Sequence, residues 1–257
     1  MNLLLLSPED LGADGVARVS GRRARHLREV LKVRPGQLLR AGVARGPRGT
    51  GQVRVVTNDE VSLEFFAEPS PPERPTVSLV VALPRPKVLS RVLQCAASFG
   101  VDRIDLVNAW RVDKSYFVSD RLALGRLSDD LWLGCEQGGQ TWVPDVEVHR
   151  LFRPLVEQEL PRRWAETTVR RLVAHPRESA PIEQVHAPGS GDSTVVAIGP
   201  EGGWIDAELA SFSHAGFDRI RISDAVLRVE SAVAAVLAQL ELLRRGTARL
   251  TGGGSGS

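Results

Sequence analysis

The chain has 257 residues, 42% of them hydrophobic, and 33 Lys and Arg face 31 Asp and Glu for a formal net charge of +2. That length is enough for one large domain or two modest ones with real cores, and no apolar run approaches the length of a membrane span, so a soluble protein is expected. The near-neutral total points to no particular partner, and Cys95 and Cys135 offer neither metal nor redox spacing, which favours a reducing cytoplasm and no metal.

The first run, Leu3-Leu4-Leu5-Leu6, has no basic residue before it and meets Ser7-Pro8-Glu9-Asp10 at once, which predicts a strand and not a secretory leader. A helix is expected next: Ser20 can cap it, Ala24, Leu27 and Leu31 share a face, and Pro35-Gly36 stops it. Arg22, Arg25, Arg28 and Lys32 project from the neighbouring face at a spacing that could follow a phosphate backbone. Between Arg18 and Arg54 eleven Lys or Arg stand against one acid, Glu29. Such an excess gathers phosphates, although an arginine-rich solvated face fits the same pattern. Gln37–Arg40, Gly51–Val56 and Val61–Phe66 read as short strands, and short strands in so small a piece predict a compact β-barrel. The stretch Gly42 to Gly51 carries Arg45 and Arg48 on flexible glycine-rich backbone, either as a nucleic-acid contact or as a solvated hairpin tip. Four prolines between Pro69 and Pro75 exclude helix and central strand, so 69–75 should be a stiff linker between a domain at 1–68 and another at 76–250.

Beyond the linker strands and helices alternate. Val77–Leu83 is a continuous apolar run, as a strand buried on both faces requires, and Pro84 ends it. A helix carrying Val88, Leu89, Val92, Leu93 and Ala96 follows, stopped at Gly100, and then the strand Arg103–Val107. Further strands are predicted at Arg171–Ala174, Thr194–Ile198 and Arg219–Ile222, with helices over Asp206–Ala215 and from Arg228 to Arg244. This is an α/β pattern with a mostly parallel sheet, in which ligands bind beyond the carboxyl ends of the strands. The segment Thr251–Ser257 reads as a flexible tail.

Three strand ends carry the candidate chemistry. His175 follows Ala174 directly, Gly199-Pro200-Glu201-Gly202-Gly203 follows Ile198, and Leu227-Arg228-Val229-Glu230 opens the last helix. The glycines allow dihedrals that a side chain forbids and let a ligand approach the backbone, and Glu201 sets a carboxylate where a cationic or hydroxyl-bearing ligand could sit. A tight structural turn is the plainer reading of the glycines alone. No phosphate-binding glycine motif is present. Glu230 is well placed near a helix N-terminus, where capping alone would explain it, whereas Arg228 is a cation at the positive end of a helix and needs a negative neighbour, either Glu230 or a bound anion.

Taken together, His26-Leu27-Arg28-Glu29-Val30-Leu31 with Pro35-Gly36, Ala82-Leu83-Pro84, Glu136-Gln137, Val143-Pro144-Asp145-Val146, Ile198 to Trp204 and Leu227 to Ala232 resemble the bacterial 16S ribosomal RNA uridine-N3 methyltransferases of the SPOUT superfamily, in family order from near residue 2 to about residue 245. The resemblance implies an N-terminal PUA-like β-barrel that holds RNA and an α/β methyltransferase domain whose last segments form a trefoil knot. It implies a homodimer in which Ala234, Ala235 and Ala238 would permit close helix approach, and a cytoplasmic enzyme acting on 16S ribosomal RNA in the assembled small subunit. S-adenosylmethionine would be held by Ala174, His175, Gly199, Pro200, Glu201, Gly202, Gly203, Ile222 and Leu227. RNA contacts fall to Arg22, Arg25, His26, Arg28, Lys32, Arg45, Arg48 and Arg111, and catalysis to Arg228 and Glu230. Arg85-Pro86-Lys87-Val88, Gln140, Ser231 and the residues after Arg111 depart from the family pattern and bear on substrate contacts more than on the cofactor pocket. A SPOUT enzyme acting on a ribose hydroxyl or on transfer RNA, and a non-catalytic RNA-binding assembly factor, are the alternatives.

Overall fold

Alternating and continuous apolar runs call for two kinds of sheet, and the computed structural model, which describes residues 2–69, 73–165, 168–177, 179–185 and 193–251, contains both. The chain divides into two compact units, one of Met1–Arg74, Ala97–Gly100 and Leu131–Val143, the other of Pro75–Ala96, Val101–Asp130 and Pro144–Ser257. Residues 70–72 of the expected linker and 252–257 of the expected tail lie outside the described residues.

The first unit is built on β1 (Leu4–Leu6), β2 (Val16–Ser20), α1 (Gly21–Arg25), β3 (Leu38–Val43), β4 (Arg48–Val56) and β5 (Glu60–Ala67). The strands form one sheet in the order β1-β3-β4-β5-β2, with β1 parallel to β3 and the other neighbours antiparallel. It is a curled half-barrel sheet, the coarser form of the compact β-barrel expected, with β1 and β2 as its two edges. A register shift between Val53 and Val55 marks a bulge, which sharpens local twist. Leu4, Leu6, Ala17, Val19, Ala24, Leu27, Val53, Val61 and Leu63 form the core. At about 1.5–3 kcal/mol for each large apolar side chain removed from water, this core is the main stabilising term of the unit.

Two local expectations are corrected. The helix after Ser20 is α-helical only to Arg25 and continues as a π-turn over His26–Val30, with the Leu31 N–H donating to the His26 carbonyl at 3.1 Å. The wider turn rotates Leu31 off the buried face, leaving it 38% exposed, and Lys32 in the left-handed region (φ +50) ends the helix. The stretch Gly42 to Gly51 is mostly strand and not loose backbone: a Cβ at Gly49 would lie 2.1 Å from the Phe66 carbonyl oxygen, and one at Gly51 2.5 Å from Leu63. These glycines admit neighbouring chain, and only the tip at Arg45 turns.

The second unit adds β6 (Val77–Ala82), α2 (Pro86–Phe99), β7 (Arg103–Val107), α3 (Leu124–Gly138), β8 (Asp145–His149), α4 (Leu160–Arg163), β9 (Val169–Ala174), β10 (Ala180–Pro181), α5 (Ile182–Val185), β11 (Ser193–Ile198), α6 (Asp206–His214), β12 (Asp218–Arg221) and α7 (Val229–Thr251), of which the ends of α2 and α3 count with the first unit. Its seven strands run parallel in the order β10-β12-β9-β11-β6-β7-β8. Leu79 to Ala82 and Val195 to Ala197 are fully buried, as strands covered on both faces must be. Parallel pairing brings every carboxyl end to one side of the sheet, and β12, β9 and β11 are immediate neighbours there. No helix among the described residues is long and apolar enough to cross a membrane.

Asp105 of β7 is fully buried, and its carboxylate meets His149 Nε2 at 2.8 Å, Arg163 Nη1 at 2.7 Å and Arg103 Nε at 3.1 Å. Burial pushes its pKa up, but His149, Arg163 and Arg103 outweigh that and hold the carboxyl below the ordinary aspartate value. Asp105, Glu147 and His149 bring three ligand-type atoms within 4.8 Å of one another. Two guanidiniums already occupy the Asp105 oxygens, so the group is an ion-pair network and not a cation site.

Candidate active site

β9 ends at Ala174, β11 at Ile198 and β12 at Arg221, and the segments that follow leave the sheet on one side. Ala174–Pro176, Ile198–Trp204, Ile222–Ser223 and Ala225–Leu227, with Val229 and Ala232 at the start of α7, line a cavity of about 180 Å³. Ala174, His175, Gly199, Pro200, Glu201, Gly202, Gly203, Ile222 and Leu227 thus all meet in one place. The apolar walls come from Ile198, Ile222, Leu227 and Val229, while the three turns supply backbone polar groups.

The glycine turn is held from below. The Gly203 N–H donates to the Pro200 carbonyl at 2.8 Å, and Gly203 has a φ of +74 with open space where a Cβ would project. Gly199 lies against Trp204: a Cβ there would come within 3.2 Å of the indole nitrogen. Trp204 is 3% exposed and packs edge-on to Phe212, with ring centroids 5.0 Å apart, which anchors the turn in the core. Its Nε1 is buried without a hydrogen-bond partner among the described residues. Arg111 donates to the Gly202 carbonyl, and a Cβ on Gly202 would meet the Arg111 side chain at 2.9 Å. In this structure Arg111, expected at the RNA, braces the glycine turn. Glu201 is 3.7 Å from Arg85 Nε, and His175 is fixed by its N–H donating to the Ile220 carbonyl at 2.9 Å.

Arg228 directly precedes α7; its carbonyl accepts from the Ala232 N–H at 2.8 Å, and its neighbours Leu227 and Val229 both line the cavity. The exposed guanidinium makes no hydrogen bond or ion pair with any described residue. Glu230 does not supply the counter-charge: its carboxylate pairs with Arg91 of α2 at 3.3 Å. A cation thus stands unneutralised at the positive end of a long helix, between two residues that line the cavity, while neither Arg228 nor Glu230 itself lines it.

Most of the basic residues of the first unit are engaged instead. Arg22 meets Glu136 at 2.9 Å, Arg28 donates to the Thr57 carbonyl at 3.3 Å, Arg45 donates to the Val143 carbonyl at 3.1 Å and stacks over Trp142, and Arg48 donates to Gln140 at 3.1 Å. His26 is half-buried with Nε2 unpartnered among the described residues, while Arg25 and Lys32 project into solvent. Burial raises the Glu136 carboxyl above its ordinary value, and the Arg22 guanidinium only partly offsets this. Cys135 is pushed up to about 12 by burial and by the adjacent Glu136, which makes its thiol unreactive. Ser223, Ala225 and Val226 fall within the Ile222 to Arg228 segment that the family resemblance assigns to the cofactor, whereas the sequence carries no sign of Arg91, whose pairing with Glu230 spans 139 residues.

A parallel sheet with a ligand cavity at adjoining strand ends, and a braced glycine turn over it, defines a cofactor-binding α/β enzyme domain. Residues 71–241 match the family model of the RNA methyltransferase domain, so the chain belongs to that family of RNA methyltransferases. It is 29% identical over 241 residues to ribosomal RNA small subunit methyltransferase E of Treponema pallidum, covering 93% of this chain and 90% of that protein. Against the enzyme of the same name from Mycobacterium bovis it is 28% identical over 253 residues, covering 91% and 88%. It shares the fold of the Neisseria gonorrhoeae ribosomal RNA small subunit methyltransferase E crystallised with S-adenosyl methionine, with a TM-score of 0.77 and 23% identity over 95% of this chain and 98% of that one.

Proposed function

We propose that this protein transfers a methyl group from S-adenosylmethionine to N3 of one uridine in the 16S ribosomal RNA of the small subunit. The observation that carries the proposal is Arg228, an unneutralised cation set between Leu227 and Val229, which line a cavity that three adjacent strand ends build. The cavity suits the cofactor. Ile198, Ile222, Leu227 and Val229 give flat apolar walls for an adenine, and the turns after β9, β11 and β12 offer backbone donors and acceptors for its ring nitrogens and ribose. The buried, unpartnered Trp204 indole N–H marks remaining donor capacity beside the glycine turn. Bound there, the cofactor supplies a methyl group activated by its sulfonium.

The acceptor nitrogen carries a proton at neutral pH, and its lone pair is delocalised into the flanking carbonyls, so reaction requires proton loss and a fixed approach. Arg228 stabilises the uridine anion as it forms, a role in which one aimed donor contributes about 3 kcal/mol. Glu230 is held by Arg91 and not by Arg228, which leaves proton acceptance, and not orientation of Arg228, as its role. Arg25, Lys32, Arg34 and Arg40 are exposed cations of the first unit without a side-chain partner among the described residues, and that unit serves as the PUA-like RNA holder. A trefoil knot in the second unit and a homodimer joined through α7 complete the proposal.

The test incubates purified protein with isotopically labelled S-adenosylmethionine and small subunits from cells lacking the gene, followed by nucleoside mass spectrometry. Label in N3-methyluridine is expected. Label in a ribose-methylated nucleoside, or none at all, overturns the proposal.

A further inference from the structure

A second cavity opens at the carboxyl ends of β7 and β8, beside the first. We propose that it is a nucleobase subsite in which Trp110 stacks on an unpaired base of the RNA substrate adjacent to the nucleotide being methylated; the inference rests on the methyltransferase reading above. Its floor is apolar, from Ala109, Val112, Phe152 and Ile205, and Trp110, Lys114 and Arg153 stand at its rim.

Trp110 is 79% exposed, an unusual position for so large an apolar ring unless something is to lie against it. Its backbone is nevertheless fixed. The buried Glu208 carboxylate accepts from the Trp110 N–H at 2.7 Å and from the Ile205 N–H at 2.9 Å, so its charge is spent on two backbone amides. The charges left to the rim are therefore the two cations Lys114 and Arg153, of which Arg153 has only a loose Glu157 neighbour at 3.8 Å. An aromatic face flanked by cations is the arrangement that takes a base with its phosphates. Inside, Asn108 Oδ1 is buried with no hydrogen-bond partner among the described residues and can accept an N–H from a base edge.

Two links place this cavity next to the chemistry. Trp204 lines the first cavity and Ile205 the second, so consecutive residues form the partition. Arg111, adjacent to Trp110, donates to the Gly202 carbonyl of the glycine turn. A base seated against Trp110 is thus registered to the turn that shapes the first cavity.

Trp110→Ala and Trp110→Phe are compared with the wild type for KM and kcat on small subunits, for cofactor Kd and for particle mass. Loss of one base stack weakens RNA binding roughly tenfold, so Trp110→Ala should raise KM about tenfold with kcat and cofactor Kd within about twofold, while Trp110→Phe stays near the wild type. An unchanged KM in Trp110→Ala overturns the subsite, as does a change of oligomeric mass, which would make this face a protein contact. A wild type that methylates no RNA fails the underlying reading instead. The subsite is then read from quenching of tryptophan emission by a short oligouridylate. Quenching present in the wild type and lost in Trp110→Phe supports it, and absence of quenching in the wild type overturns it.

Discussion

The cavity of the second unit and the basic segment of the first unit both announce themselves in the sequence, one by glycines and one by arginines, yet they fare differently in three dimensions. The glycine turn, the residues after β9 and the start of α7 converge as their positions at strand ends require. Of the arginines, Arg22, Arg28, Arg45 and Arg48 have turned to Glu136, Thr57, Val143 and Gln140. A charge count registers cations but not their partners. The difference teaches that the informative cation is the one left unneutralised, and Arg228 is such a residue.

The comparison breaks first at Arg228. Arg228→Ala should lower kcat by about a hundredfold or more, the equivalent of about 3 kcal/mol of transition-state stabilisation, with cofactor binding retained in a calorimetric titration. Near-normal turnover would return Arg228 to the ranks of ordinary surface arginines.

Arg22 tests the opposite end of the comparison. Removing it strands a carboxylate that is 1% exposed, and because Arg22 itself is half exposed the expected loss of stability is about 1–2 kcal/mol in denaturant unfolding. Arg22→Ala combined with Glu136→Gln should recover most of that. The pH dependence has a definite sign. Glu136 has a folded-state pKa above its ordinary value of 4.5, so its favourable contribution is full below that value and is lost as pH rises through the folded value. Glu136→Gln should flatten this decline; an unaltered slope would mean the carboxylate is not the group responsible.

Gly203→Ala asks whether the turn needs its left-handed backbone. The strain of a side chain at φ +74 costs about 1 kcal/mol or more, and cofactor affinity should fall roughly fivefold with little change in kcat. The smallest effect is expected at the solvent-facing cations. Arg25→Ala or Lys32→Ala should weaken RNA binding only a few-fold and reduce the salt dependence of log K by about one ion each, without altering stability. No change in the salt slope would remove that face from the RNA contact.

These contrasts also show what a sequence discloses. Val77–Ala82 and Ser193–Ile198 were legible because a strand buried on both faces is almost wholly apolar, and the pocket followed because parallel strands end on one side. The strand β2 was missed because it is short and alternates Ala17 and Val19 with Arg18 and Ser20, a weak signal inside a basic stretch. The strand β8 was noticed only as part of a motif, since its outward residues Asp145, Glu147 and the network partner His149 dilute its apolar character. The π-turn at His26–Val30 leaves no mark on composition, and it moved Leu31 out of the core. Within the site, Arg228 could be found because its mismatch with the helix dipole is local. The Arg91–Glu230 pair and the bracing of Gly202 by Arg111 join residues far apart in the chain and required the fold itself.

The central claim is a single base methylation in the small subunit, and mass spectrometry of 16S ribosomal RNA fragments from a strain lacking the gene tests it most directly. The account predicts that one uridine loses a base methyl in that strain and regains it when wild-type protein is restored, but not when Arg228→Ala is. A 16S RNA that keeps all its base methyls without the gene, or a methyl restored on a ribose or on transfer RNA, would contradict it.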